Sequence, residues 1–191
     1  MKKITAILLA ISLTSCLYGQ CRYITNKSLY KKFQVYTPEK ITKITQYSII
    51  SGNYITGNGS NGLFFKNDKG EYFFQFGFYL SLSHKFNVLQ KNELVLQFGN
   101  NIDLVLNPIS DFLGSQASVS SYVVAPIYKL SKEQVQVFTS NLLFNIKFYF
   151  SPELKIIAAS EDEKGTYYEI EVKSDKYKST IKEIATCILQ D

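Results

Sequence analysis

The side chains that could carry chemistry are few: three cysteines, a single histidine and one acidic triplet. His84 sits in the polar link Ser83-His84-Lys85. A general base needs an orienting acid and an activated nucleophile beside it, and nothing local supplies either. A zinc site made of one histidine and widely spaced cysteines lacks the usual close ligand pairs, so His84 reads as an exposed loop residue. Glu161-Asp162-Glu163 offers hard oxygen ligands but not the regular oxygen spacing of a calcium loop, so it reads as a solvated turn. Gly57-Asn58-Gly59-Ser60-Asn61-Gly62 spells G-x-G-x-x-G. That pattern holds phosphates only between a strand and a helix, and here Leu63-Phe64-Phe65 opens another strand, so it reads as a flexible turn. No catalytic, cofactor-binding or metal residue is assigned, and the chain is read as a non-enzyme with no cofactor.

The cysteines point to location and cross-linking. Met1-Lys2-Lys3 is a basic start, and Ile4 to Leu13 is an uncharged apolar run. At about ten residues it is half the roughly twenty needed to span a hydrocarbon core, and it matches a secretory signal peptide. Two cleavage sites compete. Leu13-Thr14-Ser15-Cys16 has the form of a bacterial lipobox; its use would remove 1–15 and make Cys16 the lipidation site, each buried CH₂ adding about 0.8 kcal/mol of membrane affinity. A cut after Gly19 would remove 1–19 and expose Gln20, although Leu17 is bulky for that enzyme's pocket. Either route exports the protein, to the cell envelope as a lipoprotein or to the periplasm or medium in secreted form. In an oxidising compartment Cys21 and Cys187 are disulfide candidates, a bridge tying the mature N-terminus to the last helix. Closing so long a loop contributes up to about 4–5 kcal/mol in the chain-entropy account, provided the Cα atoms come within about 7 Å.

Composition excludes other classes. Apolar residues make up 46% and charged residues 19%, too apolar for a disordered chain. The formal charge is +5, of which Lys2 and Lys3 leave with the signal, and the lysines are scattered, so nothing favours nucleic acid as a partner. Residues 20–191 have the size of one domain, with no internal repeat or linker. Tyr and Phe number 14 each while Trp is absent, a bias toward strands.

The elements follow from local signals. Lys31 to Ile50 is strand-like, with Pro38 limiting its central part, and Ser51 to Gly62 is turn-rich and mobile. Glu71 to Ser83 is an aromatic strand in which Gly77 marks a bulge or a close approach. Glu93 to Phe98 and Ile102 to Leu106 form a hairpin around Gly99-Asn100-Asn101, with Leu94, Leu96 and Phe98 on one face. Ile109 to Ser121 is a polar connection, and Tyr122 to Tyr128 returns as a strand whose Pro126 suits an edge. Ser131-Lys132-Glu133-Gln134 is a capping box, flanked by Leu130 and Val135 as a hydrophobic staple. Leu142 to Phe150 is a strand closed by Ser151-Pro152, and Leu154 to Ala159 with Tyr167 to Val172 flank the acidic turn as a second hairpin. Tyr177, Ile181, Ile184, Ala185 and Ile188 form one buried stripe on a final helix. The expected fold is α+β: a mostly antiparallel sheet with two helices, about 131–141 and 175–190, packed on one face.

Three stretches in this order carry a resemblance: Phe33-Gln34-Val35-Tyr36-Thr37-Pro38, the hairpin LQKNELVLQFGNNIDLVL, and YKLSKEQVQVFTSNLLFNIKFYF before a Cys-bearing last helix. Together they resemble a loose group of small exported bacterial proteins of unknown function. The resemblance implies the fold and the export, and it carries no catalytic residue. Three roles follow as expectations. One is a binding module that meets a protein or peptide partner through a sheet edge or through the aromatic series Tyr72, Phe73, Phe74, Phe76, Phe78 and Tyr79. The second is a lipid-anchored structural protein of an envelope assembly, touching the membrane only through its anchor. The third is an enzyme of unfamiliar type.

Overall fold

The computed structural model describes residues 41–50, 57–67, 69–81, 85–116, 121–153, 159–173 and 175–190; for 41–50, 57–63, 78–81 and 121 it describes the backbone alone. The signal segment, Cys16, Cys21, His84 and residues 31–40 lie outside the described residues. In chain order the elements are β1 (Ile41–Ile50), β2 (Gly57–Asn67), β3 (Tyr72–Ser81), β4 (Phe86–Asn87), β5 (Leu94–Phe98), β6 (Ile102–Leu106) and β7 (Ser115–Gln116). These are followed by β8 (Ser121–Val124), β9 (Ile127–Leu130), α1 (Lys132–Ser140), β10 (Leu143–Pro152), β11 (Ser160–Asp162), β12 (Gly165–Glu171) and α2 (Asp175–Leu189).

The class is α+β, with antiparallel strands and two helices among the described residues. The strands form two sheets where one was expected. The first runs β1-β2-β3-β8-β7, with β9 also on β3; the second runs β11-β12-β10-β5-β6, with β4 also on β10. Strand alternation aims one set of side chains from each sheet into a shared core. Phe64, Phe74 and Phe76 come from the first sheet, and Leu94, Leu96, Phe148 and Phe150 from the second, all buried. Phe76 meets Phe148 edge-on with ring centroids 5.8 Å apart, so the sheets are in direct aromatic contact.

The local signals at α1 hold. Gln134 donates its backbone N–H to Ser131 Oγ at 3.1 Å, and the Gln134 side chain accepts the Ser131 N–H at 2.8 Å. Leu130 and Val135 are both buried. Phe138 then bridges the sheets, edge-on to Phe64 and to Phe98 with centroids 5.0 Å away in each case. On α2, Ile181, Ala185 and Ile188 are buried in the same core while Tyr177 and Ile184 are half-buried against it. No described helix is long and apolar enough to cross a membrane.

Several expectations need correction. Residues 57–62 are the first half of β2, paired with β1 and β3, rather than a mobile turn. Glycine weakens a strand by only about 1 kcal/mol, and two neighbouring strands outweigh that. At Gly77, expected to mark a bulge or a close approach, there is no bulge toward β2: it pairs with Asn61 in unbroken register. The irregularity lies one strand over, where β8 and β9 follow the same edge of β3 and Ala125-Pro126 interrupts them. There Phe76 N–H reaches the Pro126 carbonyl at 3.1 Å. The second hairpin is also shifted: Glu161 and Asp162 belong to β11, the turn is Glu163-Lys164, and Gly165 takes a φ of 129°, a value that favours glycine. Of the first arm expected for it, Leu154 to Ile157 and Ala158 lie outside the described residues.

The connection after β6 is more than polar linkage. Pro108 bridges to Tyr128, and Ile109 N–H donates to the Ile127 carbonyl at 2.9 Å, which ties it to the first sheet. Phe112 and Val88 exchange two backbone hydrogen bonds of 2.7 and 2.9 Å, just after β4 of the second sheet. Gly114 N–H adds a bond to Asn87 Oδ1 at 3.0 Å. Residues 107–114 therefore sew the two sheets together along one side.

Candidate interaction surface

The outer face of the second sheet is built by the side chains that alternation sends away from the core. On β5, β10 and β12 these are Val95, Gln97, Asn145, Lys147, Tyr149, Tyr167 and Glu169, set side by side by the register Asn145–Gln97, Lys147–Val95, Lys147–Glu169 and Tyr149–Tyr167. Asn145 Nδ2 donates to Gln97 Oε1 at 2.9 Å and to Glu169 Oε1 at 2.7 Å, a polar rung across three strands. Below it Lys147 Nζ lies 3.8 Å from the Tyr167 ring centroid and 5.1 Å from that of Tyr149, and it pairs with Asp162 at 2.5 Å.

This cluster is a clamp between strands. The Lys147 ammonium holds the Asp162 carboxyl down at about 2, and the Asp162 carboxylate raises Lys147 above the ordinary lysine range. Burial pushes the Tyr149 phenol up. A lysine so raised stays protonated at neutral pH and offers no lone pair for base or nucleophilic work. What the cluster does is fasten β11 across β12 to β10, aided by the Lys164–Glu93 pair at 2.7 Å.

The sheet edges differ more than the faces. Unpaired edges are templates for another strand and are ordinarily blunted by bulges, charge, shortness or cover. β1 carries register shifts between Ile41 and Lys43 and between Ser48 and Ile50, and α2 lies against it. β7 is two residues long, and β11 is three residues with exposed Glu161 and the Glu163-Lys164 turn at its end. β6 is five residues in straight register with β5 and without a bulge, and among the described residues it pairs with β5 alone. Its outward residues are Asp103 and Val105, the latter 45% exposed. The other exposed large hydrophobics among the described residues gather near its ends. Leu142 and Phe144 stand by the hairpin tip, where Gly99 N–H bonds the Leu142 carbonyl at 3.1 Å. Ile109 and Leu113, the latter 70% exposed, follow the other end.

The sequence candidates are distributed as follows. Cys187 is half-buried on α2 and disulfide-bonded; the other two cysteines, Cys16 and Cys21, lie outside the described residues, as does His84. Of the acidic triplet, Glu161 and Glu163 are exposed while Asp162 is engaged by Lys147 and Tyr149. The aromatic series forms no exposed platform among its described members: Phe73, Phe74 and Phe76 are buried and Tyr72 is half-buried. Phe73 stacks on Phe65 on the face of the first sheet opposite the shared core, so both faces of β3 are covered. Sequence reasoning missed two buried phenols, Tyr128 and Tyr168, whose hydroxyls find no hydrogen-bond partner. Burial alone raises both, Tyr168 to about 12. Only the even spacing of Tyr168 with Ile170 signalled that this ring points inward.

No protein family matches the chain, and neither a curated protein nor a solved structure does.

Proposed function

We propose that this is an exported, non-enzymatic module of the cell envelope that docks a protein or peptide partner by strand addition along β6. The observation that carries the proposal is the contrast among edges: among the described residues β6 pairs with β5 alone and runs without a register shift, its one charge being Asp103, where β1 is irregular, β7 is two residues long and β11 is short and acidic. Strand addition supplies main-chain hydrogen bonds and uses alternate side chains for specificity, which suits an edge presenting Val105 on one face. Export rests on the Lys2-Lys3 start and the apolar run after it; Cys16 carries the lipid, and Cys21 pairs with Cys187. Intact mass of the mature protein tests the last two points, since acylation and a free thiol each change it.

The docking is tested by placing a photo-crosslinking amino acid at position 105 and, separately, at position 161, and irradiating living cells. Adducts from position 105 and none from 161 are expected. Equal labelling from both positions, or none from 105, overturns the reading.

A further inference from the structure

We infer that the strand added to β6 is β6 of a second copy of this chain, joined about a two-fold axis perpendicular to the sheet. The inference rests on the edge reading above and names its partner. A two-fold interface must be complementary to itself, and Ile102–Leu106 (IDLVL) meets that condition. Antiparallel pairing centred on Leu104 sets Ile102 opposite Leu106 and Asp103 opposite Val105. The charge of the strand therefore never sits directly opposite its own copy; the two Asp103 residues are diagonal neighbours, about 7–8 Å apart. The axis keeps inner face with inner face, so Leu104 and Leu106, buried in each copy, extend one apolar layer, while Asp103 and Val105 stay on the outer layer.

The placement of exposed apolar side chains points the same way. Val105 lies on the edge itself, Leu142 and Phe144 lie toward its Ile102 end, and Ile109 and Leu113 lie past its Leu106 end. Antiparallel pairing lays the Ile102 end of one copy beside the Leu106 end of the other. The two groups thus approach each other across the axis, once on each side. A foreign extended peptide would pair with the edge but would bring nothing to cover both ends.

Sedimentation of the purified mature chain at micromolar concentration is expected to show a mass of two chains, falling to one chain in Val105→Glu, which sets a carboxylate opposite Asp103 of the other copy. Val105 is exposed, so an unchanged far-ultraviolet circular dichroism spectrum is expected for the variant. Register is read separately by mixing Asp103→Cys chains with Val105→Cys chains under mild oxidation. A crosslinked dimer should form in the mixture and not from either variant alone. A monomeric wild type, or a dimer that survives Val105→Glu, overturns the inference. The crosslinks in cells separate the two levels. Adducts of twice the chain mass support a second copy; adducts to a different protein keep the edge reading and remove self-pairing; no adduct at position 105 removes both.

Discussion

Asp162 Oδ2 accepts from Lys147 Nζ at 2.5 Å and from Tyr149 Oη at 2.8 Å, so one carboxylate on β11 is held by two residues of a strand that is not its neighbour. The link is electrostatic and must depend on pH. The folded Asp162 titrates at about 2, below the roughly 3.9 of an unfolded aspartate. A lowered folded pKa contributes stability that is complete above the unfolded value and is lost as pH falls toward the folded one. Urea midpoints of the wild type should therefore drop between about pH 4 and pH 2, and Asp162→Asn should show a shallower drop across that window. Parallel curves for the two proteins would remove the clamp from this account.

The orphaned phenol of Tyr168 makes the opposite kind of prediction. A buried hydroxyl without a partner keeps its desolvation cost, about 1–3 kcal/mol, and gains nothing in return. Tyr168→Phe should leave stability unchanged or raise it by up to about 1 kcal/mol, measured by urea unfolding. A loss of that size would mean that the hydroxyl has a partner in solution.

Gly114 is held by space. A Cβ there would come within 1.9 Å of Tyr122 Cε1 and 2.5 Å of Cζ, and the Tyr122 ring is itself buried. Gly114→Ala must displace the ring or the connection carrying Leu113, at about 1–3 kcal/mol by analogy with overpacked cores. Thermal unfolding should show it, and an unchanged midpoint would mean that this side of the molecule yields easily.

Ser131→Ala should cost about 1 kcal/mol, because both arms of the capping box are made. On α2 the larger loss belongs to Ile181, fully buried, with about 2–5 kcal/mol for Ile181→Ala. Ile184→Ala should cost less, since that side chain is half-buried. Equal losses at the two positions would put the stripe on a different face.

What was legible in the sequence was local. Ser131 and Gln134 lie three residues apart, and Asn100 and Asn101 hold φ of 65° and 57° between two alternating strands, so cap and hairpin each announce themselves within a few residues. The Ile181, Ala185 and Ile188 stripe is legible for the same reason. Sheet count was not, because Phe74 and Phe148 read alike as strand aromatics whether they share a sheet or face each other across a core. Asp162 reads as a turn acid until Lys147, fifteen residues earlier, is brought under it. Residues 57–62 misled in the other direction: their glycines describe what the segment tolerates, and the strands on both sides decide what it does. The edge of β6 stood out in no pattern, since an unblunted strand is recognised only by comparison with the others.

The pairing scheme also sets an order of events. Phe74 is matched with Tyr128, and Leu96 with Ile146, so strands made early must wait for partners about fifty residues downstream. Topologies dominated by such distant pairings fold slowly compared with local ones. Until α1 and β10 have emerged, Phe74 and Leu96 pair only with their hairpin neighbours on β2 and β6, and the core shared by the two sheets cannot close. Under the export reading proposed above, that delay is itself useful: a core that closes only when the distant strands meet leaves the chain passable for longer.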